Sequence, residues 1–167
     1  MGAKIVIIAI FTTLADNMRI VVQRVKRASV TIDGKACSSI GCGLLVLTGV
    51  EDADMPDDVD WLASKVVNLR LFNDSNGVMN LSAIETGSEI MIVSQFTLHA
   101  SVRKGNRPSY IRAARPEKAI PLYEAFIARI RELTDRDPAT GVFGAMMDIE
   151  LVNDGPVTII IDSRNRE

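Results

Sequence analysis

"RIVVQRVKRASVTIDGKACSSIGCGLLVLTGV", Arg19 to Val50, is the stretch that decides the fold. Its runs are rich in Val and Ile, side chains that fit a pleated, half-buried surface. They break at Asp33-Gly34, a dipeptide suited to the tight turn of a β-hairpin. The apolar run Leu44 to Val50 then reads as a strand buried on both faces. The chain therefore opens as a β framework.

Working outward, the period changes in "DMPDDVDWLASKVVNLRLF". Trp61, Leu62, Val66 and Leu69 fall on one helical stripe, and Pro56 with Asp57 and Asp58 suits a helix N-terminus. Asn76-Gly77 marks a turn between short strands. Ser88 to Leu98 reads as one more strand. A second helix is predicted from Pro116 to Leu133, with Leu122, Phe126, Ile130 and Leu133 near one stripe and Pro121 tolerable only near its start. "GVFGAMMDIELVNDGPVTIIIDSRNRE" closes the chain as two long strands joined by a tight turn at Asn153 to Pro156. There is no repeat, linker or low-complexity segment. The expectation is α+β: a single compact domain with a barrel-like β framework and two helices.

The totals agree with one domain. A chain of 167 residues can bury a core without staples, and 47% hydrophobic with 24% charged residues is ordinary for a soluble globular protein. A net charge of -2 means that any nucleic-acid contact must come from a local basic patch. Cys37 and Cys42 have no metal-ligand spacing and read as buried or incidental thiols in a reducing, cytoplasmic setting. Residues 1–17 carry one short apolar run, Ile5 to Phe11, well under the ~20 residues that span a bilayer. They read as an extension from an upstream start codon. The domain is expected over 18–163, with 164–167 as a tail.

The chemistry concentrates in "IMIVSQFTLHASVRKGNRPSY", Ile90 to Tyr110. An apolar strand ends in Ser94, Gln95 and Thr97, passes the chain's one histidine, His99, and runs into Arg103, Lys104 and Arg107. A serine triad is a poor reading, since no serine sits in a G-x-S-x-G elbow and His99 stands alone. No His/Cys/Asp group has metal spacing, and no phosphate-binding glycine loop is present, so neither metal nor nucleotide cofactor is expected. Three features survive: the strand end at Ser94 to Leu98, the turn "NDGPVT", and the basic run from Arg103 through Arg112 and Arg115 to Lys118. For the Gly155-Pro156 bond a trans hairpin turn is the default on sequence, because only about 5% of X-Pro bonds in folded proteins are cis.

These segments resemble a known family. "SQFTL" at 94–98, "KGNRPSY" at 104–110 and "NDGPVT" at 153–158 are similar to the signature motifs of D-aminoacyl-tRNA deacylases. The opening "MRIVVQRVKRASVTIDG" from Met18 matches that family's start, and the similarity runs to about Ile161.

The resemblance implies a homodimer with active sites at the interface. It would hydrolyse the ester between a D-amino acid, or mischarged glycine, and the 3′ end of tRNA, with no cofactor and no membrane. It implies that Gly155 and Pro156 form a Gly-cis-Pro turn that reaches the partner's site and filters chirality, with Arg24 holding the turn. Phe143, Met147 and Asn153 would line the pocket for the terminal adenosine or the turn itself. Ser94, Gln95, Phe96 and Thr97 would form the catalytic strand end. Thr97 is either a nucleophile or a positioning group, and an unaided threonine hydroxyl is weak, which favours backbone N–H groups near Phe96 and Thr97 as an oxyanion hole. Arg103, Lys104, Arg107 and Arg112 would contact the tRNA, and His99 would be a bystander. The rival readings are a non-catalytic RNA-binding module and an editing domain for another aminoacyl-tRNA.

Overall fold

A computed structural model describes residues 18–166. The expectations for the extension, residues 1–17, lie outside the described residues, as does the last residue of the tail. The chain runs β1 (Arg19–Ile32), β2 (Lys35–Ile40), β3 (Gly43–Gly49), α1 (Pro56–Asn68), β4 (Phe72–Asn73), β5 (Met79–Leu81), α2 (Ala83–Thr86), β6 (Glu89–Ser94), a 3₁₀ turn (Phe96–His99), α3 (Pro116–Thr134), β7 (Ala139–Thr140) and β8 (Asp148–Asp162).

The hairpin expected at Asp33-Gly34 is present. Both residues have positive φ (49° and 72°), the signature of a turn whose twist matches its strands. Ile32 pairs with Lys35, and β2 and β3 together line one side of β1. The other side of β1 is taken along its length by β8. β3 continues into parallel pairing with β6, and β6 with β7. The sheet curls until the Ser38 hydroxyl of β2 donates to the Thr140 carbonyl of β7 at 2.7 Å, so the barrel is nearly closed.

One face packs on the helices. Ile20, Val22, Leu44, Val46, Ile90 and Ile92 meet Leu62 and Val66 of α1 and Leu122, Phe126 and Ile130 of α3. The opposite face forms a second core of Val25, Val30, Ile40, Leu45, Met91 and Val93, against which Met147 and Ile149 pack. Among the described residues no helix is long and apolar enough to cross a membrane.

Three expectations need correction. Among the described residues there are three α-helices, not two. The short α2 is nucleated by a capping box, in which Ser82 Oγ accepts from Glu85 N and the Glu85 carboxylate accepts from Ser82 N. The strand expected over Ser88 to Leu98 stops at Ser94. Gln95 N makes the last rung, donating to Thr48 O at 2.7 Å, and Phe96–His99 then winds into the 3₁₀ turn.

The third correction concerns Asn153 to Pro156, which is no hairpin turn. β8 runs through it as one strand of 15 residues. Gln23 pairs with Thr158 and Val25 with Asn153, so Asp154 to Val157 stand opposite the single residue Arg24. The extra length bulges out of the ladder, as suits a proline that has no N–H to donate. The Gly155-Pro156 bond within the bulge is cis, where the sequence default was trans.

Candidate active site

The parallel ladder between β3 and β6 builds the site, because it sets Thr48 beside Ser94 at the ends of two core strands. Leu98 N donates to Gln95 O (3.2 Å) and Ala100 N to Thr97 O (3.0 Å), closing the turn. The first N–H groups of any such turn have no partner within it. Among the described residues, Phe96 and Thr97 N–H likewise have no backbone acceptor. Phe96 is exposed and meets Tyr110 edge to face at 5.1 Å. Thr97 Oγ1 accepts from Gln95 Nε2 at 2.6 Å. An amide N–H is a donor and cannot take the proton of a nucleophilic hydroxyl.

Beside this strand end lies a pocket of about 70 Å³, lined by Thr48, Val50, Ser94, Gln95, Phe96, Tyr123 and Phe143 among others. Tyr123 donates to Ile92 O at 2.9 Å, and burial pushes its hydroxyl up to about 12, so it serves as a neutral prop. Thr48 Oγ1 is buried in the lining with no hydrogen-bond partner among the described residues.

Of the three residues expected to line the substrate pocket, only Phe143 borders this cavity, tilted against Tyr123 at 5.9 Å. Met147 packs into the second core, its sulfur over Gly141. The Asn153 amide lies over Gly155, 2.5 Å from where a Cβ there would stand.

Arg24 is buried and bound to the bulge. Its Nε lies 3.1 Å from Asp154 O and 2.9 Å from Asp154 Oδ2, while Nη1 donates to Leu71 O. Gly155 and Pro156 themselves are exposed and do not border the pocket of their own chain.

Arg103, Lys104 and Arg107 are exposed on a loop pinched by reciprocal backbone bonds between Ser101 and Ser109 (2.8 and 2.9 Å). Arg112 differs from them in having a carboxylate partner, with Nη2 2.9 Å from Glu51 Oε1, while its side chain stays 42% exposed. The same carboxylate oxygen is 2.7 Å from His99 Nδ1, and both side chains are 1% exposed. The bystander reading of His99 thus missed a buried contact. An acid directly after an apolar strand, in a chain with a lone histidine, was the available signal. Cys37 and Cys42 are exposed and unbridged. No metal-holding cluster occurs among the described residues.

Asp54 completes this buried group, accepting from Glu51 N at 2.7 Å. Burial pushes its carboxyl up to about 6, and neighbouring Asp58 adds to the rise. The folded chain then holds this proton more tightly than the unfolded one, so Asp54 makes stability fall as pH rises from about 4 to about 6. Asp54→Asn is expected to be the more stable protein at pH 8, by at most about 3 kcal/mol, with the gap closing below pH 4. Urea melts of both proteins across that range check it.

The α+β fold is shared with solved proteins. A solved structure described as a probable eukaryotic D-amino acid tRNA deacylase shares the fold (TM-score 0.76 at 17% identity, covering 87% of this chain and 99% of that one). A second, the c-Myc DNA Unwinding Element Binding Protein, is 40% identical with a TM-score of 0.81, covering 86% and 97%.

The chain belongs to the D-Tyr-tRNA(Tyr) deacylase family, whose sequence profile matches residues 21–162. The D-aminoacyl-tRNA deacylase of Parabacteroides distasonis is 62% identical over 150 residues, 90% of this chain and 100% of the relative. That of Bacteroides thetaiotaomicron is 58% identical over the same shares.

Proposed function

We propose that this protein hydrolyses the ester joining a D-amino acid, or glycine, to the 3′ end of tRNA, releasing the free amino acid and tRNA. The observation that carries the chemistry is the N–H of Phe96, a residue lining the pocket, with that of Thr97 next to it in the turn. Water adds to the ester carbonyl, the two N–H groups take the developing oxyanion, and collapse of the tetrahedral intermediate expels the 3′-hydroxyl. A donor so placed lowers the barrier by about 3 kcal/mol. The adjacent 2′-hydroxyl of the tRNA orients the water. Arg103, Lys104 and Arg107 meet backbone phosphates, which needs no base readout. A charged tRNA as substrate points to the cytoplasm.

The chiral filter in this reading is the Gly155-Pro156 bulge of a second subunit in a homodimer. Its exposure, and its absence from the pocket of its own chain, support that arrangement. Rigid backbone beside the substrate Cα leaves no volume for an L side chain, whereas hydrogen or a D side chain fits. Exclusion by backbone is indifferent to side-chain chemistry, so one site can serve many D-amino acids.

The test is hydrolysis of D-Tyr-tRNA, L-Tyr-tRNA and Gly-tRNA side by side. Cleavage of the D and glycyl esters but not the L ester is expected, and no cleavage of the D ester would overturn the reading. That negative result would favour a nucleic-acid binder, the activity named for the solved relative at 40% identity. Thr97→Ala is expected to keep activity within about tenfold, since the backbone and not the hydroxyl does the chemistry. Loss as deep as a catalytic knockout would instead make Thr97 the nucleophile.

A further inference from the structure

The reaction as written leaves one buried polar group unused, and it lies directly beneath the Phe96–His99 turn. His99 is that turn's last residue and is 1% exposed. Its Nδ1 lies 2.7 Å from Glu51 Oε1, a close polar contact outside hydrogen-bond geometry, and the far side of the ring rests on Gly49, 2.9 Å from where a Cβ would stand. Burial holds the imidazole below its ordinary range, against the favourable pull of the Gly49 backbone.

Glu51 is fixed in turn. Its N–H bonds Asp54, Arg112 shares its carboxylate, and it bridges to Ala113, with Ala114 N donating to Val50 O at 2.9 Å. On the outer side Arg19 Nη1 donates to Leu98 O at 2.9 Å.

We infer that His99 is a positioning residue: its ring, wedged between the Glu51 carboxylate and Gly49, sets the rotation of the turn, and so the aim of the Phe96 and Thr97 N–H groups. This rests on the reading of those groups as the ester's oxyanion site. Short 3₁₀ turns have poor hydrogen-bond geometry of their own and are readily rewound. A side chain anchored at the turn's last residue supplies the missing constraint. A buried carboxylate holds its partners strongly, because losing one leaves charge without solvent. Displacing a reacting group by about 1 Å can cost about 100-fold in rate, so a loosened turn would show in catalysis before it showed in binding.

The test compares His99→Leu, which removes the polar contact, with His99→Asn, whose amide can still reach toward Glu51. On D-Tyr-tRNA, the Leu variant is expected to lose about 30-fold or more in kcat with KM changed less than about threefold, and the Asn variant to recover most of the loss. Amide hydrogen exchange at Leu98 and Ala100 should speed up in the Leu variant and not in the Asn variant. A folded Leu variant with wild-type kcat, or an Asn variant no better than Leu, overturns the inference. If His99→Leu does not fold, His99→Asn against Glu51→Gln makes the same comparison, because Gln keeps the shape and weakens the acceptor. Should the wild type itself leave D-Tyr-tRNA uncut, the functional reading has failed. The exchange data then decide alone, with unchanged protection in the Leu variant counting against a positioning role.

Discussion

Arg24→Ala should lower the ratio of D- to L-Tyr-tRNA hydrolysis by about tenfold or more, the scale set when a rigid exclusion loosens by a fraction of an ångström. Arg24 is the only residue of β1 opposite Asp154 to Val157, and its guanidinium holds both the Asp154 carbonyl and the Leu71 carbonyl. Without it, two carbonyls lose a charged donor, and each such loss costs about 1–3 kcal/mol when the acceptor stays buried. The ion pair to the Asp154 carboxylate adds little, because that side chain is 40% exposed and screened by solvent. A total loss of about 2–4 kcal/mol is expected in urea melts. Lysine should not rescue, since a single ammonium cannot serve acceptors held by two arms of a planar fork. If stability drops while the D/L ratio stays put, Arg24 supports the fold and has no part in selection.

The second large effect is expected at Gly49. A Cβ there would stand 2.9 Å from two atoms of the His99 ring and 3.0 Å from Gln95 O. The ring is pinned by Glu51 and the carbonyl belongs to the turn that follows β6, so neither neighbour can swing away as a free side-chain end would. Gly49→Ala should therefore push the turn outward. The predicted cost is about 1–3 kcal/mol in stability, as for overpacking elsewhere. The predicted loss in kcat is about 100-fold, as for removing an oxyanion donor. Wild-type kcat in a folded Gly49→Ala protein would show that the turn's placement is not critical to the reaction.

Much of this architecture could be read from the chain because its signals are local. Asp33-Gly34 specifies the first hairpin by backbone preference, and the stripes of α1 and α3 follow the helical period. Ser94 to Thr97 lie together in sequence, so the strand end could be singled out as a unit. What was misread depends on partners far along the chain. Nothing within "SQFTLH" marks the stop at Ser94, because the apolar alternation continues through Phe96 and Leu98. The bond that ends the strand comes from Thr48. Asn153 to Pro156 carries every local sign of a hairpin, yet β1 stays alongside it and Arg24 fills the gap. Glu51 and His99, remote in sequence, become neighbours only once β3 and β6 pair. Arg112 looked like one more cation of a basic run until that pair placed a carboxylate beside it.

β1 carries two arginine clamps, Arg19 on the carbonyl of Leu98 and Arg24 on that of Asp154. Five residues of extended chain separate them, about 17 Å of strand, and the odd spacing sends them to opposite faces. The strand is thus a ruler with two marks, one setting the reactive turn and the other the bulge. Length changes in the loops leave the two marks in step. One residue gained or lost between Arg19 and Arg24 would turn a clamp to the wrong face and leave the turn or the bulge unheld.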